Sequence, residues 1–322
     1  MKQKSLNQQN LTRRLRRLLV LFAVLLLPLG AMAITYPYPY LVFDKSSQSF
    51  STEYIDQSDI HTPVSSPGPN AQRYSMGTSL QTTFYILDTD VTINVPIEIL
   101  GDVKLILCDD RTMTASKGIV VPEDCSLTIY GSTSGTGTLI AFARDDYDSR
   151  NPPSWAYYSA AIGGSYSMEN YGQAHNSVQC GYIYIHGGQI TADASKQTHV
   201  NNGLSSLGGS DPIGIAAGIG GCGTGSGMGS NGGIVEIYGG TVTAIGSNTG
   251  AGIGGGYGGD GGSVEIYGGT VNATGTDATG GSPGPGAGIG GGYGGNGCTV
   301  NGTINGTVTH EHTTISAAPI AI

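Results

Sequence analysis

The chain has 322 residues, 55 of them glycine, and only 11% are charged. Six of its 14 basic residues fall within the first 33 positions, which hold no acid; beyond them, eight basic residues face 23 acidic ones, a net charge of −15. No Lys or Arg follows Lys196, so the surface cannot neutralise a run of phosphates, and nucleic acid and anionic membranes are set aside as partners.

The chain opens with Lys2, Lys4, Arg13, Arg14, Arg16 and Arg17, then an apolar run from Leu18 to Leu29, then Ala31-Met32-Ala33. A basic start, a short apolar stretch and a small-x-small site form the pattern of a secretory signal over residues 1–33. The apolar run is shorter than the roughly 20 residues of a spanning helix. The mature chain is expected to begin at Ile34, without a cysteine that would mark a lipoprotein, and an uncleaved anchor is the alternative. Residues 34–84 are expected to be irregular and to cap the open edge of the strands beyond residue 85.

From residue 85 to 322 the pattern is that of short strands. "VTINVPIEIL", "GDVKLILCDD", "GIVVPEDCSLTIYG" and "GTGTLIAFA" alternate apolar and polar residues between turn residues. Residues 144–159 and 196–212 interrupt the pattern and are expected to project as side loops. From about 160 to 310 the chain repeats itself. "AGIGG" occurs at Ala217–Gly221, Ala251–Gly255 and Ala287–Gly291, with "AAIGG" from Ala160; Ile219, Ile253 and Ile289 fall 34 and 36 residues apart. Each copy leads to a strand: "YIYIHGGQITA" from Tyr182, "IVEIYGGTVTA" from Ile234, "SVEIYGGTVNA" from Ser263 and the degenerate "TVNGTINGTVT" from Thr299. Repeats this short cannot bury an apolar face alone and must stack on their neighbours. Val235, Ile237 and Val242 have strand alternation, and the Gly-Gly between the two runs reads as a corner. The predicted fold is all-β, a single-stranded parallel β-helix that we take as right-handed.

The segments "LILCDDRTMTASKGIVV", "SLTIYGSTSGTGTLIA" and "AAIGG", followed by "AGIGGG" and "GGTVTA", resemble a family of repeat-bearing exported proteins common in gut and oral anaerobic bacteria. The resemblance spans roughly residues 85 to 310 and brings no catalytic residues with it. Family copies carry Asp-Gly after the cysteine where this chain has Asp109-Asp110. More distantly the chain is similar to pectate-lyase-like and carbohydrate-binding parallel β-helix proteins, a likeness of fold that says little about activity.

Several chemistries compete for the remaining motifs. Gly254-x-Gly256-x-x-Gly259 fits a phosphate loop, but a strand rather than a helix follows it, so no dinucleotide site is expected. Gly255 to Asp260 fits the start of a calcium nonapeptide, which fails at Gly262 where a large apolar residue belongs. Asp145, Asp146 and Asp148 are a separate calcium candidate, with a solvated loop as the alternative. His310-Glu311-His312 lacks an evident third ligand for a metal. A polysaccharide lyase would need cations, which only Lys104, Arg111, Lys117, Arg144, Arg150 and Lys196 could supply. Glu236 and Glu265 hold equal positions in successive repeats, as a glycosidase pair or as a solubilising row. Five cysteines are an odd number for an exported chain; a Cys108–Cys125 bridge is one reading, small buried apolar residues the other.

Sugar binding has the broadest support. Tyr130, His186, Tyr238 and Tyr267 take the same outward position and are expected to form a column of rings, either a platform for sugars or a self-stacking ladder. The stretch "RDDYDSRNPPSWAYYS" gathers Trp155, Tyr157 and Tyr158 with charges, either a binding loop or a packed lid. The expected protein is an exported, monomeric, non-catalytic binder of polysaccharide or surface glycan, located in the periplasm, at the cell surface or outside. A structural or adhesive spacer and a polysaccharide lyase or glycosidase are the alternatives.

Overall fold

The computed structural model of the protein describes residues 38–55, 62–148, 155–169, 174–197, 215–223, 229–276, 285–301 and 307–311. The signal segment, Arg150, His312 and most of the 196–212 interruption lie outside the described residues. So do the side chains of Tyr147, Asp148, Trp155, His310 and Glu311.

Every regular element among the described residues is a strand. Among the described residues, most of the strands stack in parallel as seven successive coils, each adding one rung to three ladders. In the sixth coil these rungs are Ile253–Gly254, Ser263–Ile266 and Thr270–Thr274. We call the three ladders the short face, the tyrosine face and the threonine face. The 34- and 36-residue repeats close in strict register: Ile219 pairs Ile253, and Ile253 pairs Ile289 on the short face. Glu236 pairs Glu265 on the tyrosine face and Val242 pairs Val271 on the threonine face. The apolar member of each alternating pair points inward. Val235, Ile237, Val242 and their equivalents Val264, Ile266 and Val271 are buried in one continuous core. Each such side chain contributes roughly 1.5–3 kcal/mol against the entropy of ordering the chain.

Glycine is required on the short face for a specific reason. Gly163, Gly220, Gly254 and Gly290 all have positive φ, from +127° to +147°. A Cβ on Gly254 would lie 1.9 Å from the carbonyl oxygen of Gly290 on the next coil. The backbones approach too closely for any side chain, so the repeated Ile-Gly is a packing device. The Gly-Gly corners behave as expected, with Gly188, Gly240 and Gly269 at φ of +88°, +86° and +88°. Asp110 also has positive φ, at 59°; it stands where the resembling family has glycine, and Asp is among the few residues that tolerate this region.

The amino-terminal third departs from expectation. Coils begin before residue 85: Tyr74–Leu87 already forms the first two rungs, pairing Ile97–Leu107 with an irregularity between Thr78 and Thr83. Thr62–Pro63 adds a further short rung. Residues 38–55 are not irregular either. Tyr38–Asp44 and Ser49–Ile55 make an antiparallel hairpin that forms its own two-stranded sheet. It lies along the flank of the coils and not over their end, because the flank carries an apolar stripe. Outward Ile86, Ile106 and Tyr130 align on successive coils and pack with Tyr38, Tyr40, Val42 and Ile55 of the hairpin.

Two insertions flank the short rung Ile162–Gly163 of the fourth coil. Asp145–Asp148 and Trp155–Ser159 precede it; Ser165–Glu169 and Ala174–Val178 follow it. Together they form a four-stranded antiparallel side sheet, where the sequence suggested a loop over 144–159 alone. All five cysteines are free thiols. Cys108 leaves the tyrosine face of its coil whereas Cys125 enters it one coil later, so no bridge forms between them. The Cys125 sulfur instead accepts the Gly101 N–H at 3.3 Å, and Cys180, Cys222 and Cys298 are buried.

Candidate functional site

The expected ring column exists. Tyr130, His186, Tyr238 and Tyr267 stack with centroid separations of 4.8, 4.4 and 5.1 Å, close to the spacing of parallel rungs. It is not an open platform, which corrects the sequence reading. Tyr130 is 7% exposed, His186 9% and Tyr238 5%; only Tyr267 is half-buried. The hairpin supplies the cover. Tyr40 meets Tyr130 edge-on at 4.7 Å, and Phe43 stacks on Tyr238 at 5.3 Å. The Phe43 N–H donates to His186 Nδ1 at 3.0 Å. Burial pushes the His186 imidazole down to about 4, helped by Lys104 and Lys45 and opposed by Glu236. No sugar reaches these three rings while the hairpin is seated.

Glu236 and Glu265 form the expected row, but it is engaged rather than open. Each accepts a hydrogen bond from the tyrosine two residues on, Tyr238 and Tyr267. Lys45 of the hairpin turn lies 2.8 Å from Glu236 and 3.9 Å from Glu265. Asp260, the residue of the calcium-like motif, is likewise engaged. Its carboxylate accepts from the Asn296 N–H and side-chain amide, as a rung between Asn231 and Asn296.

The accessible site lies on another side of the molecule, between the side sheet and the coils. A groove of about 850 Å³ is walled by Arg73, Glu98 and Lys117 from the coil side and by Arg144, Asp146 and Tyr157 from the side sheet. Strand register explains the wall. Asp146 pairs Tyr157, and Tyr157 pairs Ser167, so all three share one face of the sheet. Ser165 and Ser167 add hydroxyls to the lining, while the buried Ser159 Oγ accepts the Arg144 N–H at 3.2 Å. Lys117 Nζ donates to both oxygens of Asp146, at 2.9 and 3.1 Å. Arg144 Nε donates to the same carboxylate at 2.9 Å, and its guanidinium lies 4.5 Å from the centre of the Tyr157 ring. Burial alone would raise the Asp146 carboxyl, but Lys117 and Arg144 outweigh it and hold it below its ordinary value. Arg73 pairs with Glu98 at 2.6 Å. The groove therefore has three cations against two carboxylates on a chain that is otherwise strongly acidic.

The same register bears on two sequence-derived expectations, although the side chain of Asp148, the third aspartate of the calcium candidate, lies outside the described residues. Tyr158 was expected beside Tyr157 as a ligand-binding ring, but neighbours on a strand point to opposite faces. Tyr158 is 4% exposed and packs with Ala194, Ile215, Ala216 and Cys222. Asp145 and Asp146 diverge for the same reason, so they do not converge on a calcium ion, and Asp146 is held by Lys117. Among the described residues no three His, Cys, Asp or Glu side chains gather closely enough for a metal. Of the three rings expected to bind, Tyr157 is the one that the described side chains place at the groove, where Arg144 and Asp146 of the same stretch also stand. Arg73, Glu98 and the serines were not singled out from sequence. Their joint position depends on side-sheet pairing that no local motif announces.

Residues 235–257 and 264–293 match a family model described as beta helix repeat. The match runs from the tyrosine-face strand of the fifth coil to the short rung of the seventh and agrees with their parallel stacking. No curated protein and no solved structure matches the chain at a significant level.

Proposed function

We propose that this is an exported, non-catalytic β-helix protein that binds polysaccharide in the groove beneath its side sheet. The observation that carries the reading is the Arg144–Tyr157–Asp146–Lys117 cluster. It offers a ring for a sugar's apolar face, with fixed donors, an acceptor and the hydroxyls of Ser165 and Ser167 beside it. The groove volume falls in the range of small-ligand sites, roughly 300–1,000 Å³. Export rests on the basic and apolar pattern of residues 1–33, and we take the coil as a single right-handed solenoid on the general handedness of parallel crossovers.

Binding is favoured over hydrolysis by the state of the carboxylates. A glycosidase acid needs a raised pKa, whereas Asp146 is held ionised by two cations and Glu98 is paired with Arg73. A lyase needs a base free to take a proton, whereas Lys117 is committed to Asp146. A glycan array run with the mature chain, with and without chelator, tests the reading. The expected result is a polysaccharide hit that chelator leaves unchanged and that Tyr157→Ala or Arg144→Ala weakens at least tenfold. An array without hits, or hits untouched by both substitutions, would leave the spacer reading in its place.

A further inference from the structure

The ring column and the glutamate row are filled by the chain's own hairpin, and the manner of filling is specific. The Lys45 ammonium sits between Glu236 and Glu265 and over two rings, 5.6 Å from the centre of Tyr238 and 5.1 Å from that of Tyr267. Burial alone would lower its pKa, but hydrogen bonds with Glu236 and Tyr238 outweigh that and raise it. Two residues earlier, Phe43 covers Tyr238 and Tyr267 at 5.3 and 5.9 Å. The Phe50 ring from the second hairpin strand lies over Gly239. Two consecutive Glu-x-Tyr repeats thus build a cradle for one ammonium group and one aromatic ring. Neighbouring coils do not repeat it: Tyr184 pairs Glu236 on one side and Asn301 pairs Glu265 on the other.

The hairpin enters none of the coil ladders. Its two strands pair only with each other. Side-chain packing, the Phe43 bond to His186 and the Ser132 Oγ bond to the Pro39 carbonyl hold it in place. A ligand held this way leaves without breaking a single rung of the solenoid. Without it, the column presents a stripe of rings ending in two carboxylates, complementary in charge and shape to a segment carrying an aromatic residue two positions before a lysine.

We infer that this cradle is an intermolecular docking site whose occupant is the hairpin of a second copy, so that copies exchange residues 38–55. Within one copy the short tether holds the hairpin at an effective concentration of about millimolar. Exchange therefore becomes visible when the internal hairpin is disabled or the protein is concentrated, as on a crowded surface.

The test mixes two full-length mature variants. Phe43→Ala with Lys45→Ala keeps the cradle and disables the hairpin; Glu236→Lys with Glu265→Lys keeps the hairpin and disables the cradle. All four side chains lie outside the core, so each variant is checked for retained strand circular dichroism. Sedimentation is expected to show each variant alone as a monomer and the equimolar mixture as a one-to-one dimer. Should either variant misfold, a labelled peptide of residues 38–55 titrated into the wild-type chain gives the second reading. It is expected to bind, and to lose at least tenfold in affinity when it carries Lys45→Ala. A mixture that sediments as separate monomers, or a peptide that fails to bind at millimolar concentration, overturns the inference. Glycan binding in the groove is read separately and does not bear on it.

Discussion

His186 shows what a single buried side chain can impose. Its neutral ring is stacked between Tyr130 and Tyr238 and accepts the Phe43 N–H. Unfolded, it takes a proton near its ordinary 6.5; folded, not until about 4. Between those values the unfolded state holds more protons, so stability falls as pH drops from 6.5 to 4, by up to about 3 kcal/mol. His186→Phe keeps the ring and removes the titration. Urea unfolding of both proteins at pH 7 and pH 4.5 is expected to show the wild type losing more stability than the variant. Equal losses would place the acid sensitivity elsewhere. Gly254 makes the complementary case, in which any added atom is too much. Gly254→Ala forces a Cβ against the Gly290 carbonyl and is expected to cost on the order of 3 kcal/mol. Gly68→Ala, with nothing within 4 Å, should change the same unfolding midpoint little. At this scale the sequence was highly legible. Inward Val235, Ile237 and Val242 follow from period-two alternation, and the stacking of Tyr130, His186, Tyr238 and Tyr267 follows from equal position in the repeat.

At the scale of elements, legibility depended on sequence distance. The coils repeat and so could be read from local pattern. The hairpin that buries the column could not, because Phe43 meets His186 across 143 residues. Apolar rings on an outer face imply a cover without naming it. The side sheet was hidden for a related reason: its strands come from both sides of Ile162–Gly163, and no local pattern marks the segment 165–178 as an insertion. That sheet is tied to the coils by Asp146, whose carboxylate joins Lys117 to Arg144. Asp146→Ala would leave two partly buried cations facing each other and is expected to cost about 1 kcal/mol, given the partial exposure of the cluster. Lys117→Met combined with Asp146→Leu should recover most of that loss. A double variant no more stable than the single one would show that the pair does more than neutralise itself.

At the scale of the whole molecule, the seven coils among the described residues make a scaffold whose core is repetitive and whose individuality lies in what is added to its sides. The hairpin covers the tyrosine face, and the side sheet raises one wall of the groove. The repeats that dominate the sequence carry the fold; the accessible groove is assembled from the least repetitive residues, Arg73, Lys117, Arg144 and Tyr157. The central claim is that polysaccharide binds there and not on the ring column. Hydrogen–deuterium exchange of the wild-type protein, with and without its array hit, tests this most directly. The account predicts slowed exchange in Asp145–Asp148, Trp155–Ser159, Ser165–Glu169 and around Lys117, with residues 126–131, 182–186 and 234–238 unchanged. Protection confined to those tyrosine-face strands, or no protection anywhere, would contradict it.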